Sequence, residues 1–240
     1  MDFRLKRYQK DFEHSYTFGV FPTLELVERR PEQVLGVVVH PKGLQNQGVL
    51  KLQAHCARLG LPFEVQERTL ERLGGRENDY VIGVLRKYQA ALAPQADHLV
   101  LVNPGSLGNL GTILRTMLGF GMHNLAIIEP AADLFHPEVL RAAMGALFQL
   151  NFEHYPTFNA YQQAQPRSFY PLMTDGAVSL PQARFEHPAS LVFGNESSGL
   201  DPTFRQLGTS IRIPQSHAID SLNLAISVGV VLYEWAKVNQ

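Results

Sequence analysis

Residues 98–121 read HLVLVNPGSLGNLGTILRTMLGFG, and this stretch decides the fold class. HLVLV is a short apolar run that predicts a buried strand, and the segment after Gly111 has the apolar spacing of a helix. Between them lie Gly105, Gly108 and Gly111, which indicate a tight backbone loop. A strand, a glycine loop and a helix in this order predict a parallel α/β unit, and they raise the question of a phosphate-binding loop for a dinucleotide.

The rest of the second half repeats this alternation of apolar strands and helices. Strands are predicted at LAIIE (125–129), FYPLMT (169–174), SLVFGN (190–195) and SIRIP (210–214), with helices from about Pro137 to Phe148 and from about Ser221 onward. This alternation indicates a mostly parallel sheet that is covered on both faces. Ligands of such sheets bind beyond the carboxyl ends of the strands, so three segments are candidates for a site: NPGSLGNLG, GNESSGL and PQSHAIDSLN.

The first part of the chain contains a shorter alternation of the same kind. Helices are predicted at TLELVERR (23–30), GVLKLQAHCARLG (48–60) and RTLERL (68–73), and strands at VLGVVVHP (34–41), PFEVQ (62–66) and YVIGVL (80–85). GGREND (74–79) interrupts the pattern, and RKYQAALAPQAD (86–97) is expected to be a helical or loose connector. We therefore predict a small α/β domain at 1–95 and a larger α/β domain at 96–240.

Composition and charge limit the classes of function. The 240 residues are 45% hydrophobic, the only cysteine is Cys56, and no segment reaches the ~18 consecutive apolar residues of a membrane helix. These features predict a cytoplasmic globular protein without a membrane segment, in which Cys56 packs in a helix.

The charge is distributed unevenly along the chain. Residues 1–96 hold 14 Lys and Arg against 11 Asp and Glu, which leaves 7 against 11 for the remainder. The basic excess begins with a cluster formed by Arg4, Lys6, Arg7 and Lys10. Such a cluster either contacts nucleic-acid phosphates or forms the solvated face of a helix.

Two interpretations of the glycine loop are open. Glu129 closes the next strand, about where an acidic residue would bind the ribose of a dinucleotide, but GxxGxxG differs from the GxGxxG fingerprint in its first spacing. Alternatively, Asn109 is the N-cap of a helix that begins near Leu110 and carries Arg115 in its first turns. A positive helix end beside a guanidinium favours an anion or developing negative charge.

The other two strand ends carry further polar groups. GNESSGL (194–200) predicts a tight loop whose glycines permit close approach of the backbone to a ligand, and Glu196 either faces that ligand or caps the following turn. Pro214 is expected to end a strand, and Ser221 is expected to be the N-cap of the last helix. That helix is apolar nearly all round, which predicts burial in a core or against a second subunit.

Taken together, the three segments resemble the motifs of the TrmH branch of the SPOUT RNA methyltransferases. The first motif, NxGxxxR followed by T and a later FG, matches Asn109, Gly111, Arg115, Thr116, Phe120 and Gly121. The second, GNExxGL, matches Gly194, Asn195, Glu196, Gly199 and Leu200, and the third, IP and then SLN, matches Ile213, Pro214, Ser221, Leu222 and Asn223. This resemblance covers about residues 98–240. Residues 18–85 resemble, more loosely, the small α/β RNA-binding domain that precedes the catalytic domain in several members.

The resemblance implies an enzyme that transfers a methyl group from S-adenosylmethionine (SAM) to a ribose 2′-hydroxyl of rRNA or tRNA. It implies an α/β fold in which a carboxy-terminal α/β-knot, a deep trefoil knot with a mostly parallel sheet, follows the small RNA-binding domain and pairs as a homodimer. No metal is implied. The residues assigned to catalysis are Arg115, Asn109, Glu196, Ser221 and Asn223. Those assigned to SAM are Phe193, Gly194, Asn195, Glu196, Gly199, Ile213, Pro214, Ser221 and Leu222, and those assigned to RNA are Arg4, Lys6, Arg7 and Lys10.

The resemblance also implies a role for Arg115 and leaves alternatives open. Because a guanidinium is normally protonated, we expect Arg115 to orient an RNA phosphate and to stabilise the developing alkoxide. The chain departs from the usual family pattern at Ala143, Gln215 and His217, and NPGSLG is longer than usual before Asn109. The alternatives are an NAD-type dinucleotide-binding oxidoreductase and a catalytically silent RNA-binding member of the same fold.

Overall fold

The structure is a computed structural model that describes residues 5–73, 79–216 and 218–239. The first part contains, in chain order, β1 (His14–Phe18), α1 (Val20–Arg29), β2 (Val34–Val39), α2 (Gln47–Leu59), β3 (Phe63–Val65), α3 (Thr69–Leu73) and β4 (Val81–Arg86). The second part contains β5 (His98–Val102), α4 (Leu107–Gly119), β6 (Asn124–Ile128), α5 (Pro137–Ala143), β7 (Asn151–Tyr155), α6 (Phe158–Ala164), β8 (Ser168–Pro171), β9 (Val178–Ser179), β10 (Ala189–Phe193), β11 (Ile211–Arg212) and α7 (Leu224–Asn239). None of the described helices has the length and apolar character needed to cross a bilayer.

The chain forms two compact units, and their division does not follow the chain order alone. Unit 1 consists of residues 1–88 and 133–149, and unit 2 consists of residues 89–132 and 150–240. The domains predicted at 1–95 and 96–240 differ from these units in residues 89–95 and 133–149. The difference arises because α5, which follows β6 in the chain, packs on β1.

Unit 1 is built on a mixed sheet with the strand order β1-β4-β2-β3. β4 is antiparallel to both β1 and β2, and β3 is parallel to β2. The sequence patterns do not predict β1, because HSYTF follows a charged segment and has only a short apolar alternation. α2 begins at the N-cap Asn46 and ends at Gly60, whose φ of 66° is left-handed. Cys56 is fully buried on α2, as predicted for a helix-packing residue.

Unit 2 is built on a five-stranded sheet with the order β7-β6-β5-β10-β8. Every neighbouring pair in it is parallel, which confirms the predicted α/β class with a mostly parallel sheet. The sequence patterns miss β7, because NFEHY at the sheet edge mixes polar and apolar residues, and they also miss α6. From β5 the chain builds outward through β6 and β7, and it later returns to add β10 on the other side. The strand order therefore reverses between β5 and β10, where open α/β sheets bind their ligands.

A short parallel pair, β9 and β11, extends the sheet region beyond β8. Leu172, directly after β8, forms a bridge with Ile211 of β11. The backbones approach closely here, because a Cβ on Gly176 would lie 2.4 Å from the carbonyl carbon of Ile211. The chain that follows β11 thus starts beside the carboxyl end of β8.

Candidate active site

The loops after β5 and β10 start at the same level of the sheet. Phe193 of β10 pairs in register with Leu101 of β5, so both strands end at the same edge. The two loops are the segments NPGSLG and GNESSG. They are joined directly, since Asn195 Nδ2 donates to the carbonyl oxygen of Asn103 at 2.7 Å.

α4 begins earlier than the sequence pattern indicates. Its N-cap is Ser106, whose Oγ accepts a hydrogen bond from the N–H of Asn109 at 3.3 Å. The prediction that Asn109 caps this helix is therefore wrong, because Gly108 and Gly111, which favour loops by propensity, lie inside the helix. Asn109 lies in the first turn, where its side chain is free to contact the second loop.

Glu196 binds the start of α4. Its carboxylate accepts hydrogen bonds from the N–H groups of Gly105 and Ser106, both at 3.0 Å, and from Asn109 Nδ2 at 3.3 Å. Burial raises the pKa of the Glu196 carboxyl, but these donors and its own N–H lower it, and the net pKa lies below the usual value. A charged carboxylate at a helix N-terminus is also favoured by the helix dipole. Glu196 thereby ties the second strand end to the first.

This arrangement argues against the dinucleotide alternative. The N–H groups of Gly105 and Ser106, which would bind a phosphate, are bonded to a carboxylate that would also repel one. Glu129, the candidate for a ribose hydroxyl, is instead paired with His154 Nδ1 at 2.7 Å. The glycines of this stretch serve the backbone of the loop and the helix.

The GNESSG turn requires glycine at both of its ends, for lack of space at Gly194 and for a left-handed backbone at Gly199. A Cβ on Gly194 would lie 2.2 Å from the carbonyl carbon of Gly199, and Gly199 itself has a φ of 66°. Asn195 Oδ1 closes the turn by accepting from the N–H of Ser197 at 2.9 Å. The close approach seen in this turn is made to the chain's own backbone, and the approach to a ligand that the sequence predicts stays a prediction.

The third strand end reaches the same cluster through Asn223. Its Oδ1 accepts from the N–H groups of Ala225 and Ile226 at 2.9 and 3.3 Å, which makes Asn223 the cap of α7 and the predicted cap Ser221 wrong. Its Nδ2 donates to Asn109 Oδ1 at 3.0 Å. Because Asn109 accepts here, its amide nitrogen faces Glu196, so the hydrogen-bond directions agree along the whole chain of contacts.

A cavity of about 250 Å³ lies beside this cluster, at the ends of β8, β10 and β11. All but one of the residues that the resemblance assigns to SAM line it: Phe193, Gly194, Asn195, Glu196, Gly199, Ile213, Ser221 and Leu222. Pro214 does not line the cavity. The lining also contains residues that the sequence analysis did not select: Leu172, Met173, Thr174, Ser197, Ser198, Ile211, Gln215, Leu224 and Ser227. The signal that would have identified Leu172 to Thr174 is their position at the carboxyl end of the predicted strand FYPLMT.

Arg115 lies apart from the cavity on the exposed face of α4. The exposed positions of this helix, Gly108, Thr112, Arg115 and Gly119, form one stripe. The described part of the chain supplies no hydrogen bond or ion pair to the Arg115 side chain. Its guanidinium is therefore available to an anion from outside the chain.

The last helix has both a buried and an exposed apolar face. Val228, Val231 and Leu232 are fully buried, whereas Ile226 is 56% and Tyr233 54% exposed. Val230 lies between the two exposed residues on the same stripe. α7 packs against α4, where the Tyr233 ring contacts the Phe120 ring with centroids 6.4 Å apart. Core burial thus accounts for only one face of this helix.

Three members of the predicted RNA-contacting cluster lie in an irregular segment before β1. The side chains of Lys6, Arg7 and Lys10 are exposed, and residues 5–13 form no helix, so a solvated helix face does not explain the cluster. Arg4 and His217 lie outside the described residues. Ala143 is fully buried on α5, and Gln215 donates to the carbonyl oxygen of Asp220 at 3.1 Å.

Comparisons with known proteins agree on one family. The model of the SpoU rRNA Methylase family matches residues 97–233. A Synechocystis protein named as an uncharacterised tRNA/rRNA methyltransferase is 34% identical over 140 residues, which cover 57% of this chain and 51% of that protein. A Streptomyces viridochromogenes 23S rRNA uridine 2′-O-methyltransferase is 31% identical, over 55% of this chain and 49% of its own. The matched part of the chain thus spans about half the length of these two relatives.

A solved structure resembles nearly the whole chain. The AdoMet-bound rRNA methyltransferase from Sinorhizobium meliloti, in which AdoMet is SAM, superposes with a TM-score of 0.80. It is 26% identical and covers 95% of this chain and 88% of its own. The likeness therefore includes both units, each with its own sheet.

Proposed function

The chain belongs to the SpoU rRNA Methylase family, and from that membership we propose that it transfers a methyl group from SAM to a ribose 2′-hydroxyl of rRNA or tRNA. One observation carries the proposal. The three motif segments meet through the contacts of Glu196, Asn109 and Asn223, at the wall of a cavity that eight of the nine proposed SAM residues line.

The cavity has the chemical character that SAM needs. Phe193, Ile213 and Leu222 supply apolar surface for the adenine ring, as the walls of cofactor sites commonly do. The hydroxyl groups of Thr174 and Ser221 line the same space and have no hydrogen-bond partner in the described part of the chain. When bound, SAM supplies a methyl group that its positively charged sulfonium activates for transfer. The residues present therefore fit the cofactor.

Glu196, Asn109 and Asn223 act in this proposal mainly as positioning residues. Their polar side-chain atoms bond to one another and to backbone N–H groups, so they fix the loops around the cavity. Such preorganisation holds reacting groups in place before reaction. The negative charge of Glu196 at the cavity wall also favours a cationic cofactor. Ser221 keeps a free hydroxyl and is the better candidate for direct contact with the ligand.

Arg115 is proposed to bind the RNA. It is exposed, it has no partner in the described part of the chain, and it lies on the helix whose first turn carries Asn109. A permanently charged guanidinium orients a phosphate and stabilises the negative charge that develops on the attacking ribose oxygen. It does not accept the hydroxyl proton, because it remains protonated in proteins.

We also propose a homodimer that buries the exposed stripe of α7. Ile226, Val230 and Tyr233 form a continuous apolar strip, and water contact along such a strip is costly. Arg115 lies on the adjoining helix, so a partner that covers the strip would come close to it. This gives the guanidinium a site that two subunits complete.

Two further parts of the proposal concern topology and the RNA. Membership of the family favours a threaded chain of the trefoil-knot kind, and Gly208 packs closely on β8, since a Cβ at Gly208 would lie 2.1 Å from the carbonyl oxygen of Phe169. The exposed Lys6, Arg7 and Lys10 favour RNA binding by unit 1. An rRNA or tRNA substrate implies a cytoplasmic protein.

The substitution Arg115→Ala tests the proposal. We expect calorimetric SAM binding to persist and methyl transfer to cellular RNA to fall by about 10²-fold or more, because the charge stabilises the transition state. Arg184→Ala removes the same charge from another exposed site of unit 2 and serves as the control. Mapping of 2′-O-methyl groups in RNA from cells with and without the gene identifies the target. Near-normal transfer by Arg115→Ala would remove Arg115 from the site. A wild-type chain that binds SAM without transferring methyl groups would support the catalytically silent alternative.

A further inference from the structure

Unit 1 contains a second cavity, of about 690 Å³, that the proposed methyl transfer does not use. One wall comes from the segment before β1 and from β1 itself, and the other comes from α5 and its N-cap His136, with Leu73 of α3 also in the lining. The polar and aromatic residues of its lining are Arg7, Tyr8, Phe18, His136, Glu138 and Arg141. Rings and guanidinium groups thus share one concave space.

We propose that this cavity binds one unpaired nucleotide of the RNA substrate, with the base stacked on Tyr8 beside the perpendicular His136 ring and its phosphate at Arg7 and Arg141. The inference rests on the proposed RNA methyltransferase function and extends it, because it assigns a specific nucleotide-binding site to unit 1. An unpaired nucleotide is required, since the faces and edges of bases in an RNA duplex are largely inaccessible to side chains.

The aromatic side of the cavity is held rigidly. The Tyr8 hydroxyl donates to Asp133, and Lys87 Nζ lies 4.8 Å from the centre of the Tyr8 ring. The His136 ring meets the Tyr8 ring edge to face, with centroids 5.5 Å apart and an interplanar angle of 87°. Rings fixed in this way lose little entropy on binding and are suitable for stacking by any base.

The edge of His136 adds a hydrogen-bonding group. Its Nδ1 accepts from the N–H of Glu138 at 3.3 Å. In the neutral ring the proton is then on Nε2, which can donate to a base or a ribose oxygen. The aromatic wall therefore offers both a stacking surface and a donor.

Of the two guanidinium groups on the cationic side, one is bonded to other side chains and one is not. Arg141 is fixed by Asp79 at 2.6 Å and by the Phe18 ring, whose centre lies 5.2 Å from its Cζ. This contact uses one nitrogen of Arg141, and a guanidinium has five N–H donors. Arg7 is exposed and has no hydrogen bond or ion pair within residues 5–73, 79–216 and 218–239. The exposed carboxylate of Glu138 balances part of this charge, so the site fits a single phosphate rather than a long strand.

Binding of a short dye-labelled single-stranded RNA of random sequence, measured by fluorescence anisotropy, tests the inference. Arg7→Ala and Tyr8→Ala are each expected to weaken binding on the order of 5- to 10-fold, through loss of a phosphate contact and of a stacking surface. Arg58→Ala removes the same charge from an exposed site of unit 1 outside the cavity, and Tyr8→Phe keeps the ring. Arg58→Ala is expected to bind within twofold of the wild type, and Tyr8→Phe, which loses the hydroxyl bond to Asp133 but keeps the stacking surface, is expected to retain most of the binding that Tyr8→Ala loses. Melting temperatures verify that each variant is folded.

The outcomes separate this inference from the proposed function. Equal losses in Arg7→Ala and Arg58→Ala, wild-type binding by Tyr8→Ala, or no binding of the RNA by the wild-type chain would each overturn the nucleotide site. Tight binding of AMP or UMP, together with RNA binding that Arg7→Ala leaves unchanged, would indicate a site for a free nucleotide. That result would also overturn the nucleotide site proposed for the RNA. SAM binding and methyl transfer by the wild-type chain are measured separately. A chain that fails those assays but shows the expected RNA pattern keeps the site and loses the proposed reaction.

Discussion

The substitution Glu196→Gln gives the most direct measure of how the site is held. The carboxylate accepts from two backbone N–H groups at 3.0 Å and from Asn109 at 3.3 Å. A glutamine side chain has one acceptor oxygen, so its NH₂ group must face an N–H donor that then has no partner. Each such loss costs about 1–3 kcal/mol, and since Glu196 is only partly buried we take about 2 kcal/mol. For a chain of this size that corresponds to a fall in melting temperature of about 4–8 °C.

The pH dependence of this difference has a definite sign. The net pKa of Glu196 is lowered in the folded chain from a reference value of 4.5. The carboxylate therefore stabilises the fold above pH 4.5, and this contribution disappears as the pH falls through the lowered folded pKa. Melting temperatures of the wild type and of Glu196→Gln, measured by calorimetry from neutral pH downward, should converge at the acid end.

The control and the refuting result concern the same carboxylate. Glu186→Gln makes the same chemical change at an exposed position of unit 2, and its melting temperature should stay within about 1 °C of the wild type at every pH. If Glu196→Gln melts like the wild type at neutral pH, the carboxylate does not hold the start of α4. If the difference in melting temperature stays constant down to the acid end, it does not come from ionised Glu196.

Two further predictions concern the glycine turn and the dimer. Gly194→Ala should lower the stability of unit 2 by about 3 kcal/mol or more and abolish SAM binding in calorimetry, because its Cβ would overlap the Gly199 carbonyl. Gly108→Ala lies in open space on α4 and should raise the melting temperature by a few degrees. Equal melting temperatures of the two variants would contradict this reasoning. The double variant Ile226→Ser and Tyr233→Ser should shift a wild-type dimer to a monomer in sedimentation velocity and reduce methyl transfer while leaving the fold intact; a wild-type monomer that is fully active would refute the dimer.

The sequence predicts the central strands of the four-stranded and five-stranded sheets but misses the edge strands β1 and β7. HLVLV and SLVF are continuous apolar runs bounded by proline or glycine, and both form central parallel strands. β1 and β7 lie at sheet edges, and both mix polar with apolar residues; in β1 the polar residues Ser15 and Thr17 are themselves fully buried. Residues 133–149 pack with unit 1 because of contacts far apart in sequence, which no local pattern encodes.

The sequence identifies residues that the structure brings together, but it does not predict the contacts between them. Asn109 and Ser221 were both suitable N-caps by residue type, and each helix instead uses a different residue, Ser106 and Asn223. The reason differs between the two helices. In α4 the glycines favour a loop by propensity, so the sequence predicts a later helix start than the structure has. In α7 the cap residue Asn223 also bonds to Asn109. The cavity residue Thr174 lacked any motif, since only the neighbouring strand order brings it to the site.

The N-terminus of α4 has the geometry of an anion site, and the anion it binds is a side chain of the same chain. The Glu196 carboxylate accepts hydrogen bonds from the N–H groups of Gly105 and Ser106, and these bonds hold two loops together where the strand order reverses. In the function proposed above, the RNA phosphate binds instead to Arg115, roughly 12 Å from the helix start at Leu107 by the rise per residue. It follows that a strand, a glycine loop and a helix bind a phosphate only if no acidic side chain from the neighbouring strand end reaches the loop first. Replacement of that side chain by a neutral one should accordingly weaken the site without creating a dinucleotide-binding loop, because Asn109 and the turn that carries Asn195 still occupy the space in front of the helix.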